Sequence, residues 1–223
     1  MSIHWIIGSG LAVVAVPLLA APAATASPII SEVYYDAVGS DDGQSFVELW
    51  GEPGTLLDGL VIEGVNGSNG ASGPTLELSG SIGDDGLFVV ADQRSDGTSD
   101  VLSADLFANF DFQNGPDSVV LWDGGTRLDA VGYGEFDPTE VFAGEGAPAP
   151  DAPAGSSLAR VFADLDTDDN AFDFEVVDPS PGFAPTQPVP EPGSLALLAS
   201  GLAGLGRLAR RRRHPRRHPR RHR

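Results

Sequence analysis

Apolar residues in the middle of this chain come in short runs, each cut off by Gly, Asp, Asn or Ser before a helical period can establish itself. This patterning restricts the fold more than any other feature. Candidate strands are residues 29–35, 45–50, 59–65, 75–78, 86–91, 118–122, 127–133 and 157–162. Several alternate, with Val47 and Leu49 set against Phe46 and Glu48, and Leu76 and Leu78 against Thr75 and Glu77. Period two is the mark of a strand with two unlike faces. The Asp123-Gly124-Gly125 step between two runs is hairpin chemistry, since glycine reaches positive φ at no steric cost. Many short strands joined by turn signals predict an all-β sandwich or barrel. One segment, residues 101–110, has some helical character, a turn or less. Residues 144–155, rich in Ala and Pro, read as a loop, and 179–192 as an extended linker.

Charge and missing residue types narrow the chemistry. Of the 32 acidic residues all but Glu191 fall within 28–190, where the only basic side chains are Arg94, Arg127 and Arg160. The central region is therefore much more acidic than the whole-chain charge of −19 implies. Such repulsion opposes compaction unless salt screens it or cations bind. Nucleic acid is excluded as its ligand, because phosphate contacts need Lys and Arg. Lysine and cysteine are absent throughout, and His4, His214, His218 and His222 all lie near the ends. No disulfide supports the fold, and Ser-His-Asp, Cys-His, Schiff-base and His-ligated zinc chemistry are ruled out for the central region. A carboxylate-pair hydrolase stays chemically open, yet no pair stands out among so many acids.

Both ends read as addresses. Residues 1–26 hold an apolar core and finish Ala24-Thr25-Ala26 before Ser27, an A-x-A site that predicts a cleavable signal peptide. Its amino-terminal part lacks Lys and Arg, which leaves an uncleaved anchor as the alternative. At the other end Pro190-Glu191-Pro192 precedes a short apolar run over 194–206, then ten arginines between Arg207 and Arg223. Basic residues resist crossing a membrane, so the arginines should stay cytoplasmic while the rest is exported. The apolar run is too short for a permanent span of roughly 20 residues, so its transmembrane role reads as transient. This order of parts resembles the PEP-CTERM sorting signal of Gram-negative bacteria. The resemblance implies that an exosortase recognises Pro190, Glu191 and Pro192 and that the processed chain ends near Pro190.

A second resemblance covers the exported part. Its opening blocks are Ile29-Ile30-Ser31-Glu32-Val33-Tyr34-Tyr35-Asp36 and Phe46-Val47-Glu48-Leu49, followed by Leu57-Asp58-Gly59-Leu60. Its closing blocks are Ser157-Leu158-Ala159-Arg160-Val161, Asp166-Thr167-Asp168-Asp169-Asn170-Ala171 and Pro179-Ser180-Pro181-Gly182. In this order they resemble a bacterial lamin tail domain, which implies an immunoglobulin-like β-sandwich over residues 28–183. Residues 184–190 then form a Pro-rich linker and 190–223 the sorting signal.

The acidic stretch 164–175 places oxygen donors at EF-hand spacing, but Asp169 occupies the position of the turn-making glycine. A looser calcium site would draw on Asp164, Asp166, Asp168, Asp169 and Asn170. The competing reading has these residues capping turns through their own backbone. Asp41, Asp42, Asp84 and Asp85 read as turn residues. Trp50 and Trp122 are expected in the core, Phe107, Phe110 and Phe112 as anchors of a loop, and Arg160 in a structural ion pair.

The sequence therefore leads to an exported, non-catalytic surface or extracellular-matrix protein that binds or scaffolds and is processed by an exosortase. Its partners would be the exosortase and secretion machinery, together with exopolysaccharide or other surface proteins. A calcium-dependent adhesin and a small secreted carboxylate hydrolase are the alternatives. No cofactor is established by the residues, and calcium is the one they leave open.

Overall fold

In a computed structural model, residues 26–188 are described, and they form two β-sheets with almost no helix. The first sheet contains β1 (Ile29–Tyr34), β2 (Phe46–Trp50), β5 (Leu87–Asp92), β6 (Leu106–Ala108), β9 (Ser157–Arg160) and β10 (Phe174–Val177), in the order β10-β9-β1-β2-β5-β6. The second contains β3 (Leu60–Asn66), β4 (Ser72–Glu77), β7 (Asp117–Asp123) and β8 (Thr126–Tyr133), in the order β4-β3-β7-β8. Among the described residues the one helix, α1 (Asn170–Asp173), has four residues and lies just before β10. All eight expected strands are present.

The alternation read from the sequence decides which side chains face inward. Val47 and Leu49 of β2 join Ile30, Val33, Val90 and Leu158 from the first sheet. They meet Ile62, Leu76, Val119, Leu121 and Val131 from the second in one core. Each such aliphatic side chain, fully buried, stabilises the fold by about 1.5–3 kcal/mol. Tyr35 and Tyr133 stack within this core, with ring centroids 4.2 Å apart and planes 12° from parallel. Ile30 and Val33 can both point inward because β1 carries a bulge. Ile30 pairs with Leu49 and Glu32 with Glu48, so Ser31 is the extra residue that resets the parity.

The first sheet is covered on both faces. Opposite the core, Tyr34, Ala37, Phe46, Val89, Ala91 and Val101 form a second apolar cluster. Hence every residue of β1 and β5 is buried, whereas β4 at the edge of the second sheet is largely exposed.

The structure corrects three expectations. Residues 101–110 do not hold a helical turn. Their central part is β6, parallel to β5, and the preceding Asp105 is stitched to the same strand: its carboxylate accepts from the Val89 N–H at 2.8 Å, and its own N–H donates to Val89 O at 2.9 Å. Trp50 and Trp122 are half-buried instead of in the core, because they share parity with the outward-facing positions of β2 and β7. Of the three phenylalanines, Phe110 and Phe112 anchor in the core, whereas Phe107 is about half exposed. The 123–126 hairpin follows the expectation, with Gly124 at φ 55°. Asp41 and Asp85 also act as turn residues, accepting from the N–H groups of Ala37 and Leu87.

Candidate functional site

Arg160, one of three arginines in the two-sheet domain, has a fully buried side chain. β9 places it at the seam between the sheets. Nη2 donates to both carboxylate oxygens of Asp129 on β8, at 2.9 and 3.0 Å. Nη1 donates to Asp173 Oδ2 at 3.1 Å and to Leu165 O at 2.8 Å, and it approaches Asp166 Oδ1 at 3.4 Å. Nε donates to Ile30 O at 2.8 Å, and the guanidinium lies 4.7 Å from the centre of the Phe174 ring. The expected structural ion pair is thus a network that joins β1, β8, β9 and α1.

Around this network the five residues proposed for calcium separate. Asp164 Oδ1 accepts from the Gln187 N–H at 2.7 Å. Asp166 Oδ1 accepts from the Asp168 N–H as well as facing Arg160. Asp168 has φ 57° and is exposed, at the turn before α1. Asp169 immediately precedes α1 and accepts from the Ala147 N–H at 3.2 Å. Asn170 is fully buried: Oδ1 accepts from the N–H groups of Gly132 and Glu145, at 2.9 and 2.8 Å, and Nδ2 donates to Ala130 O at 2.8 Å. Apart from the local Asp166–Asp168 contact these bonds are long-range: Asp164 holds residue 187, and Asp169 and Asn170 tie the 144–155 loop to the start of α1 and to β8.

Asp166 belongs instead to a different group. Oxygens of Asp129, Glu145 and Asp166 all lie within 4.8 Å of one another. Glu145 is 8 % exposed, and its Oε2 is buried with no hydrogen-bond partner among the described residues. Its Oε1 is 3.7 Å from Arg127 Nη2, too far for a hydrogen bond. Burial, then the charges of Asp129 and Asp166, raise the Glu145 carboxyl to about 7. Asp166 is raised too, mainly by burial. These are the residues whose oxygens could hold a hard cation.

A buried carboxylate pair lies on the face of the first sheet opposite the core. Glu32 and Glu48 are direct cross-strand partners, and both are buried. Glu32 accepts from the Ser180 N–H and O–H, at 2.9 and 2.8 Å, and from the Ser157 hydroxyl. Glu48 accepts from the Gly182 N–H at 2.7 Å and from the Ser31 hydroxyl at 2.8 Å. The Pro179-Ser180-Pro181-Gly182 block is thereby held flat across the sheet, immediately before the linker. Burial raises both carboxyls, Glu48 to about 7. Neither Glu32 nor Glu48 was singled out from the sequence, although an acid inside each of two apolar strands was a visible signal. Asp129, in Leu128-Asp129-Ala130-Val131, carried the same signal, whereas Glu145 in its Gly-Ala-Pro loop carried none.

Of the processing residues, Ala26 and Ser27 are exposed in the segment before β1. Ala24, Pro190, Glu191, Pro192, the apolar run and the arginines lie outside the described residues. Among the described residues no helix is long and apolar enough to cross a membrane. No curated protein and no solved structure matches the chain. Residues 188–213 match the PEP-CTERM protein-sorting motif. That match covers the tail and not the two sheets. The chain thus carries a PEP-CTERM sorting signal, which indicates export to the Gram-negative cell envelope or surface and processing by an exosortase.

Proposed function

We propose that this is a non-catalytic surface or extracellular-matrix protein whose immunoglobulin-like, lamin-tail-like sandwich binds or scaffolds exopolysaccharide or other surface proteins after exosortase processing. The observation that carries the reading is the order of parts: a strongly acidic two-sheet domain leads through an extended segment directly into the sorting motif at 188–213. The engagement of the buried acids other than Glu145 supports a structural role over a catalytic one. Glu32, Glu48, Asp92, Asp117, Asp129 and Asp173 each accept from backbone, hydroxyl or guanidinium donors. A carboxylate fixed in this way is poorly placed to shuttle protons in a reaction.

The test is expression of the full chain in a bacterium with an exosortase, beside Glu191→Ala and an exosortase-deletion strain. The reading expects a shortened product at the surface or in the matrix, retained on the host's extracted exopolysaccharide or crosslinked to a surface protein. Both controls should accumulate the unshortened form in the membrane fraction. Identical mass and location in all three strains would sink the sorting part. Failure to associate with matrix polymer or any surface protein would sink the scaffolding part.

A further inference from the structure

We propose that Asp129, Glu145 and Asp166 hold one calcium ion where β8, the 144–155 loop and the turn after β9 meet. Three observations converge there. The carboxylate oxygens lie within 4.8 Å of one another, close enough to share an ion whose bonds to oxygen run about 2.3–2.6 Å. Among the described residues Glu145 Oε2 is buried without a partner, and a buried carboxylate oxygen left unsatisfied is costly unless something binds it. The local charge also falls short of balance. Asp129, Asp166, Asp173 and Glu145 face Arg160 and Arg127 among the described residues, and Asp168 adds its charge nearby, so negative charge is in excess. About a third of the Asp166 side chain is exposed, which gives an ion a route in from solvent. Each residue has a distinct part. Asp129 is pinned by Arg160 and by the N–H groups of Ile30 and Ala130, so it forms the rigid corner. Glu145 supplies the free oxygen, and Asp166 closes the site from the solvent side. All-oxygen ligands drawn from separate segments suit calcium's irregular coordination better than the strict octahedron of magnesium. This site shares only Asp166 with the one expected from the acidic stretch, and it does not depend on which surface partner the domain binds.

The experiment is calorimetric titration of calcium into the full chain, purified in detergent, stripped with EDTA and held at matched ionic strength. Thermal unfolding is followed in parallel. One saturable site per chain and a melting temperature raised by several degrees are expected. Glu145→Gln should weaken binding about tenfold or more without lowering the melting temperature in EDTA, because ligand charge sets affinity. Asp166→Asn, at a more exposed position, should weaken binding similarly and guards against misfolding of the first variant. Asp164→Asn should bind as the unaltered chain does. The proposal is overturned if NaCl or magnesium reproduces the calcium effect, if Glu145→Gln and Asp166→Asn both bind normally, or if Asp164→Asn alone abolishes binding.

Discussion

Asp129 on β8 and Arg160 on β9 form a two-pronged ion pair, at 2.9 and 3.0 Å, with both side chains fully buried between strands of different sheets. Asp129 also accepts from the Ile30 N–H, so one carboxylate ties β8, at the edge of the second sheet, to β1 and β9 of the first. Removing one partner of such a pair leaves a buried charge without compensation, which typically costs about 3–5 kcal/mol. Arg160→Met should therefore destabilise the domain by about that amount in urea unfolding. Arg160→Lys should also lose stability, because one ammonium cannot fork onto Asp129 while reaching Ile30 O, Leu165 O and Asp173. A lysine variant as stable as the original would show that the guanidinium geometry contributes little.

Glu48 makes stability depend on pH in a direction opposite to the usual acid denaturation. Burial raises its folded-state value from 4.5 to about 7. Between those values the folded state holds the extra proton, so stability falls as pH rises. The contribution is fully present below about 4.5 and lost above about 7, with a ceiling of about 3 kcal/mol. Glu145 acts in the same sense over the same window. Comparing urea midpoints at both ends of the window, Glu48→Gln should show a smaller drop than the unaltered chain. Equal drops would mean that Glu48 does not titrate there.

The strands were legible because alternation and turn residues speak directly about backbone and burial. Val47 and Leu49 had to share a face, and Asp123-Gly124-Gly125 had to turn. What escaped depends on long-range pairing. β6 is three residues long and exists because Leu106–Ala108 lies along β5, which local sequence does not encode. β10 pairs with β9 across the acidic stretch, whose composition suggested a loop alone. Apolar neighbours place Trp50 and Trp122 in the core, but parity along β2 and β7 turns them outward. Arg160 was legible as an ion-pair residue, because a lone cation on an apolar strand among so many acids must be paired. Its partner Asp129, 31 positions earlier, was not. Glu145 joins Asp166 only through the packing of the 144–155 loop, so no spacing rule could have linked them.

Tyr35 and Tyr133 share a stack, but their hydroxyls have unequal roles. The Tyr35 oxygen accepts from the buried Ala152 N–H at 2.7 Å, whereas the Tyr133 hydroxyl donates to Gln113 O at 3.0 Å in a part-buried position. Tyr35→Phe strands a buried donor and should cost about 1–3 kcal/mol. Tyr133→Phe frees a carbonyl with some access to water and should cost about 1 kcal/mol or less. Denaturant unfolding of the two variants decides the matter, and a reversed order would refute this assignment of roles.

Asn170 is fully buried with all three of its hydrogen bonds to backbone, and its amide orientation follows from them. Oδ1 meets the N–H groups of Gly132 and Glu145, which leaves Nδ2 for Ala130 O. Asn170→Asp keeps both acceptor contacts but sets an oxygen against Ala130 O and adds charge beside Glu145. The loss should exceed about 2 kcal/mol near neutral pH, since a buried, unpaired charge and a lost donor act together. Protonation would restore a donor in the right place, so lowering the pH should recover much of the loss. Unfolding of the variant across the acid range therefore reads out the amide's role. A pH-independent deficit would point to packing damage, and no deficit would mean that the Ala130 bond adds nothing.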